Sequence, residues 1–252
     1  MEHKDSKLFE FTSFSLHVLA MITMLMDHAW SCLLPNWEWL TCVGRITFPI
    51  FAFMTAEGFF HTKNFKKYCG RMLAFALISE IPFDLMYNGT PIYPYHQNVM
   101  WTFLIALLGM KVMETVKQKG KLWLTVLVDA LVVIVCVLLG FVGFVDYYGT
   151  GVALVFVFYF FRGRKWWCYL GQFIGMYYIN VELLGGYYYP IEIFGLQIEL
   201  VQQAIAMLAL IPIWLYRGRQ GHHSKAFQYF CYAFYPGHIL ALYLIGWIGS
   251  ML

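Results

Sequence analysis

The sequence predicts an all-α integral membrane protein, a polytopic bundle of about nine transmembrane helices with a cytoplasmic N-terminus. Three observations predict it. Of 252 residues, 61% are hydrophobic, 20% aromatic and only 12% charged, far from the balance of a soluble domain. The apolar residues come in continuous runs rather than alternating ones, which argues against a membrane β-barrel. Every lysine and arginine except Arg45 falls in one of five short clusters. These are Lys4 and Lys7; Lys63, Lys66, Lys67 and Arg71; Lys111, Lys117, Lys119 and Lys121; Arg162, Arg164 and Lys165; and Arg217, Arg219 and Lys225. Two apolar stretches separate successive clusters, so each return to positive charge is a return to the same membrane face.

A helix crossing the hydrocarbon needs about 20 mostly apolar residues. The first two spans, 14–34 and 41–60, flank a polar outer turn at Pro35 to Glu38. The third, 72–87, leaves the basic loop at Lys63 to Arg71, and the fourth, 99–116, opens after Asn98. Spans 122–144 and 147–161 are divided only by a tight turn at Asp146, and the second of them is short. Span 166–184 leads outward to Tyr187, Tyr188, Tyr189 and Pro190, which blur the start of the eighth span, 195–216. The ninth, 228–250, carries Pro236-Gly237, expected to interrupt the helix, and ends with the C-terminus outside. No internal repeat, low-complexity tract or long linker divides the chain, so 1–252 reads as a single transmembrane domain. The first apolar run carries Asp27-His28 with no small-residue cleavage site after it, and is not expected to be a removed signal peptide.

The net charge of +3 reflects basic loops facing an anionic inner leaflet, and nothing points to nucleic acid. The six cysteines show no metal spacing, and no metal is expected. Cys32 and Cys42 flank the first outer loop, where an oxidising periplasm would permit a disulfide; the alternative is small packing residues.

Ionisable groups inside apolar spans mark candidate sites, because hydrocarbon tolerates them only with a partner or a wet cavity. At about 1.5 Å of rise per residue, Asp27 and His28 lie roughly 10 Å below the outer surface and Arg45 roughly 6 Å below it. Asp84, Asn98, Thr102 and Asp146 reach a similar level from other helix ends, which predicts a shared, partly hydrated polar cavity in the outer half. Neighbouring residues on a helix point about 100° apart, so Asp27 does not orient His28. Asp27 is expected to pair with Arg45 or another neighbour, leaving His28 to face the cavity as a general base. The purely structural alternative is an ion-pair network that locks the first two helices.

At the cytoplasmic end, Glu57 and His61 share one helix face and lead into Thr62, Lys66, Lys67, Tyr68 and Arg71. Cations with an aromatic at a membrane mouth suit phosphates and a base, although a snorkelling positive-inside collar would look the same. His238, after Tyr235-Pro236-Gly237, is either a site residue or a packing histidine. Asp129, Asn180, Glu182, Gln197, Glu199, Gln202 and Gln203 are further polar exceptions, the glutamines best read as interhelical hydrogen-bond formers.

Four segments resemble the TraX family, integral membrane proteins associated with N-terminal acetylation of conjugative pilin. They are Ala20 to His28, closed by Pro35; Gly44 to Phe53 continuing through Glu57-Gly58-Phe59, His61-Thr62, Asn64, Tyr68, Arg71, Phe75 to Leu85 and Asn98; Asp146-Tyr147-Tyr148-Gly149 with Gly151; and Tyr235 to His238. That family resembles a wider group of transmembrane acyltransferases, which take an acyl group from cytoplasmic acyl-CoA and deliver it to an acceptor at the far side. The resemblance implies His28 as catalytic base, with Asp27 and Arg45 beside it. It further implies a coenzyme mouth at His61, Thr62, Lys66, Lys67, Tyr68 and Arg71, while position and polarity make Glu57, Asp84, Asn98, Thr102, Asp146 and His238 the candidate substrate-binding residues. The implied function is a bacterial inner-membrane acetyltransferase that uses acetyl-CoA as co-substrate, without metal, and acetylates an amine or hydroxyl acceptor. The reading from another class is a small-solute or proton-coupled transporter, which the same buried Asp-His-Arg set would serve. No inverted repeat or pair of broken helices supports it.

Overall fold

The computed structural model describes residues 10–193 and 195–251, so the Lys4 and Lys7 cluster lies outside the described residues. Among these residues ten α-helices follow one another: α1 Ser13–Cys32, α2 Trp39–Gly44, α3 Thr47–His61, α4 Phe65–Asn88, α5 Val99–Lys117, α6 Leu122–Val142, α7 Tyr148–Phe160, α8 Trp166–Tyr177, α9 Leu210–Leu215 and α10 Lys225–Gly249. A π-helical turn, Tyr178–Leu184, prolongs α8, and a 3₁₀ segment, Gln202–Ala209, leads into α9. Among the described residues four helical stretches are long and apolar enough to cross a membrane by length and composition: Trp39–His61, Val99–Lys117, Leu122–Val142 and Lys225–Gly249. The other predicted spans are helical for most of their length.

Local chemistry sets the boundaries. Thr12 and Ser15 form a reciprocal capping box that starts α1, and Asn64 caps α4 through the Lys67 amide. That cap draws the predicted loop at 65–71 into the first two turns of α4, so Lys66, Lys67 and Arg71 stand on a helix. The predicted second span divides into α2 and α3, because Pro49 has no N–H for the Arg45 carbonyl. Pro236 was expected to interrupt the last helix, yet α10 runs through it unbroken.

The eighth predicted span needs a larger correction. Residues Leu196–Val201 form a strand, β2, paired antiparallel with β1, Tyr188–Ile193, in register from Tyr188 opposite Val201 to Ile193 opposite Leu196. The alternation of Leu196, Ile198 and Leu200 with Gln197 and Glu199 has period two, which favours a strand over a helix. The hairpin is the only β-structure beyond isolated bridges among the described residues, and helix resumes only at Gln202.

The core centres on α3, α5 and α7. Ile50, Ala52, Leu107, Met110, Val152 and Leu154 are fully buried there. Helix α6 is the reverse: only Cys136 and Gly140 are buried, while Leu127, Leu131, Ile134 and Leu138 are exposed, the surface expected of a peripheral helix bathed in lipid. It docks on α7 through small residues. A Cβ at Gly149 would meet the Val137 carbonyl at 2.3 Å, and one at Gly140 would meet Gly149 Cα at 2.8 Å.

Among the described residues the basic clusters lie at one end. Arg162 reaches Glu57, Arg164 reaches the Tyr216 carbonyl, and Lys111 sits over Phe65. Asp27, Arg45 and the 89–98 loop lie at the opposite, far end. Among the described residues the six cysteines are free thiols. Substituting Gly149→Val is expected to overpack the α6–α7 seam and destabilise the protein by about 1–3 kcal/mol, read as a fall in Tm in detergent.

Candidate functional site

At the far end α1 meets the α2–α3 junction. Arg45 Nη2 donates to the Asp27 carboxylate and, at 3.0 Å, to Thr41 Oγ1, while its Nε donates to the Thr41 carbonyl at 3.1 Å. A guanidinium has five N–H donors, and among the described residues none on Nη1 is engaged. Gly44 makes this approach possible, since a Cβ there would fall 2.4 Å from Asp27 Cβ.

His28, one residue on, points elsewhere. Its Nδ1 lies 2.7 Å from Nε2 of His238, which α10 delivers from the other end of the chain, and both rings are buried. The rings are parallel within 1° with centroids 4.9 Å apart, so the short nitrogen contact runs edge to edge. His238 Nδ1 is 2.6 Å from the Phe234 carbonyl, an acceptor only, so that nitrogen carries hydrogen. With both rings neutral, His238 Nε2 then accepts and His28 Nδ1 donates. The network assigns the tautomers and leaves the lone pair on His28 Nε2. Tyr87 and Tyr235 present their rings edge-on to His28, with centroids 6.2 and 6.4 Å away.

The other predicted far-end residues are occupied in holding helix ends. Asn98 caps α5 through the Met100 amide and donates from Nδ2 to the Ala76 carbonyl and to Glu80. Glu80 also accepts from Trp101 Nε1 at 2.6 Å, which makes it the hub joining α4 to α5. Sequence reasoning missed that hub, because one carboxylate in a helix does not announce its partners. Asp84 accepts from the Tyr93 amide at 2.7 Å, and Thr102 donates its hydroxyl to the Asp146 carbonyl at 2.7 Å. The far-end polar residues form two hydrogen-bonded sets, Asp27–Arg45 with His28–His238, and the α4–α5 ties around Glu80. His96, also missed, stands beside them with Nε2 at 3.7 Å from Asp146 Oδ1 and its ring against Phe83 and Tyr87.

Open space lies at the basic end. A cavity of about 470 Å³ is lined by His17, Thr55, Glu57, His61, Thr62, Tyr68 and Arg71 among others, with the apolar Phe51, Met54, Met72 and Met100 deeper in. Arg71 lies 5.8 Å from the ring centroids of both Tyr68 and Tyr232, and its Nε is buried with no hydrogen-bond partner among the described residues. His222 and His223, which carry no signal in the sequence, line the mouth. Of the predicted coenzyme residues, His61, Thr62, Tyr68 and Arg71 line this cavity, whereas Lys66 and Lys67 are exposed outside it. Glu57 also lines it and is held by Arg162 at 2.6 Å and His61 at 3.2 Å, which places it at the basic end and away from the other predicted substrate-binding residues.

Phe51 and Met100 have a second role. They wall the cavity and also pack on Met24, Phe83, Tyr235 and Ile239, the apolar layer beneath the histidine pair. Along α1, His17, Met24 and His28 are spaced by seven and four residues and share one stripe. That stripe joins the cavity to His28 over about 16 Å at 1.5 Å per residue.

These features define a helical protein with membrane-crossing segments, a basic cavity at one end and a buried histidine pair beyond it. The chain matches the family described as TraX protein over residues 14–246, and belongs to it. It is similar to "Probable fimbrial assembly protein FimC, serogroup H1" of Dichelobacter nodosus, at 35% identity over 42% of this chain and 48% of that one, so the match spans about half of the relative's length. No solved structure matches.

Two outcomes test this geometry. Gly44→Ala is expected to push Asp27 off Arg45 and to lower stability by about 1–3 kcal/mol, read by thermal unfolding. The contact with the Asp146 carboxylate holds the His96 pKa above its usual 6.5 against the opposing pull of burial, with Asp84 and Glu80 adding to the rise. A raised folded-state value means that the contact stabilises fully below pH 6.5 and is lost as pH climbs through the raised value. The stability difference between wild type and His96→Gln should accordingly shrink as pH rises above 6.5.

Proposed function

We propose that the protein is an acetyltransferase of a bacterial inner membrane, with about nine crossings and the basic end in the cytoplasm. It moves an acetyl group from acetyl-CoA to an amine or hydroxyl acceptor at the far end. The observation that carries this reading is the hydrogen-bond chain from the Phe234 carbonyl through His238 to His28, which frees Nε2 of His28 as a base. Family membership supports it, and the relative's printed role in fimbrial assembly favours a peptide amine among the acceptors.

Coenzyme enters at the basic mouth, its thioester directed past Phe51 and Met100 toward His28. The acceptor's nitrogen or oxygen attacks the thioester carbonyl carbon while His28 Nε2 takes its proton. The carbon–sulfur bond then breaks, and the departing thiolate recovers the proton from His28. Asn98 and Thr102 have committed their side-chain donors, so the developing oxyanion falls to the unengaged Nη1 of Arg45, which lies within electrostatic range of His28. Asp27 fixes the guanidinium, and His238 fixes the tautomer of the base.

His28→Ala is expected to lower acetyl transfer by about 100- to 10,000-fold, the usual worth of a positioned base, with acetyl-CoA binding retained in calorimetric titration. His238→Gln, whose amide oxygen accepts the same bond, should keep more activity than His238→Ala. Undiminished transfer in His28→Ala sinks the mechanism. Absence of acetyl-CoA binding to wild type removes the enzyme reading in favour of a small-solute carrier.

A further inference from the structure

A second cavity of about 320 Å³ backs onto the first, with Phe53, Glu57, His61, Tyr216 and Gly218 in both linings. Its charge comes from three arginines: Arg162 and Arg164 from the loop after α7, and Arg217 from the loop after α9. Gly163, at φ +133° in the region that favours glycine, turns the chain between the first two. Arg162 is already matched, since it grips Glu57 through Nε at 2.6 Å and Nη2 at 3.3 Å and lies 4.4 Å above the Phe60 ring. Arg164 is held by one bond from Nη2 to the Tyr216 carbonyl at 2.7 Å, which leaves the rest of its fork unengaged among the described residues. Arg217 makes no ion pair among the described residues. Two guanidinium groups thus converge on the cavity without a carboxylate to match them.

The floor is aromatic and fixed. Trp214 Nε1 donates to Gln172 Oε1 at 2.7 Å, and Gln172 Nε2 donates to the Phe161 carbonyl at 2.8 Å. Tyr169 stands edge-on to the same indole with centroids 5.3 Å apart. An indole pinned in this way offers a face that loses little freedom on stacking. Paired guanidinium forks match phosphate oxygens bidentately, which a lysine cannot do.

We propose that this cavity is a subsite for a phosphate ester carrying a planar heterocycle, a phosphorylated nucleoside, bound by Arg164 and Arg217 with its base on Trp214. The inference rests on the acetyltransferase reading for its biological ligand, the nucleotide half of coenzyme A. It moves the phosphates from the Lys66–Arg71 helix to the opposite side of the Glu57–His61 wall, and leaves the first cavity to the pantetheine arm. A membrane phospholipid shares the phosphate but brings no aromatic ring.

The test is titration calorimetry of the full chain in zwitterionic nanodiscs, with adenosine bisphosphate, the nucleotide half of coenzyme A, as probe. Arg164→Gln and Arg217→Gln should each weaken binding by about tenfold or more, the worth of a charge-assisted hydrogen bond, while Arg71→Gln leaves it unchanged. Arg164→Lys and Arg217→Lys, which keep the charge, should recover only part of the loss. Three results overturn the proposal: loss of binding in Arg71→Gln with the other variants unaffected; no binding of the probe to wild type; or exclusion of the probe by phosphatidylglycerol with the same arginine dependence, which identifies a lipid headgroup site. Acetyl transfer from S-acetylpantetheine, which lacks the nucleotide, is measured in parallel. If that transfer proceeds while the probe fails to bind, the subsite falls and the enzyme reading stands. If no donor supports transfer, the enzyme reading falls by itself.

Discussion

A charged or strongly polar side chain survives among apolar helices only when another side chain answers it, and this protein is organised around two such answers. Arg45 and Asp27 neutralise each other across the α1–α2 contact, and His28 and His238 share one hydrogen between α1 and α10. Each pair removes its own desolvation penalty and at the same time dictates which helices lie side by side. Helix α1 takes part in both, so its packing against α2, α3 and α10 follows from two polar contacts as much as from apolar burial. Thr23 and Thr47, hydroxyl to hydroxyl at 2.6 Å, add a third tie of the same kind between α1 and α3.

Much of the fold was readable because lipid imposes coarse rules. Continuous apolar runs and the recurrence of basic clusters located the helices, and the clusters among the described residues do gather at one end of the molecule. The rules failed where a segment was apolar for another reason. Leu196 to Val201 has enough hydrophobic residues to pass for part of a span, yet its period is that of a strand. Pro236 looked like a break, but a long helix packed on both sides tolerates the loss of one hydrogen bond. The split between α2 and α3 was implicit in Pro49.

The site was legible in its identities and much less so in its connections. Asp27, His28 and Arg45 stood out as polar residues in apolar surroundings, and Arg45 was one of the partners open to Asp27. That His238 meets His28 across 210 residues of sequence could not be derived, because helix order along a chain does not specify neighbours in a bundle. Asn98, Thr102 and Asp84 have the right polarity and depth for a cavity, and only side-chain geometry distinguishes lining a space from capping a helix. His222 and His223 carry no pattern at all, and loop closure alone brings them to the cavity mouth.

The histidine pair has a consequence for how the protein is made. Its two halves lie on α1 and α10, so the contact forms only after synthesis has covered the 210 positions that separate them. At about 5–20 residues per second, a nascent chain holds His28 for roughly 10–40 seconds before His238 is made. Throughout that interval His28 lacks its partner on α10. A chain that stops before α10 therefore cannot close this contact between helices.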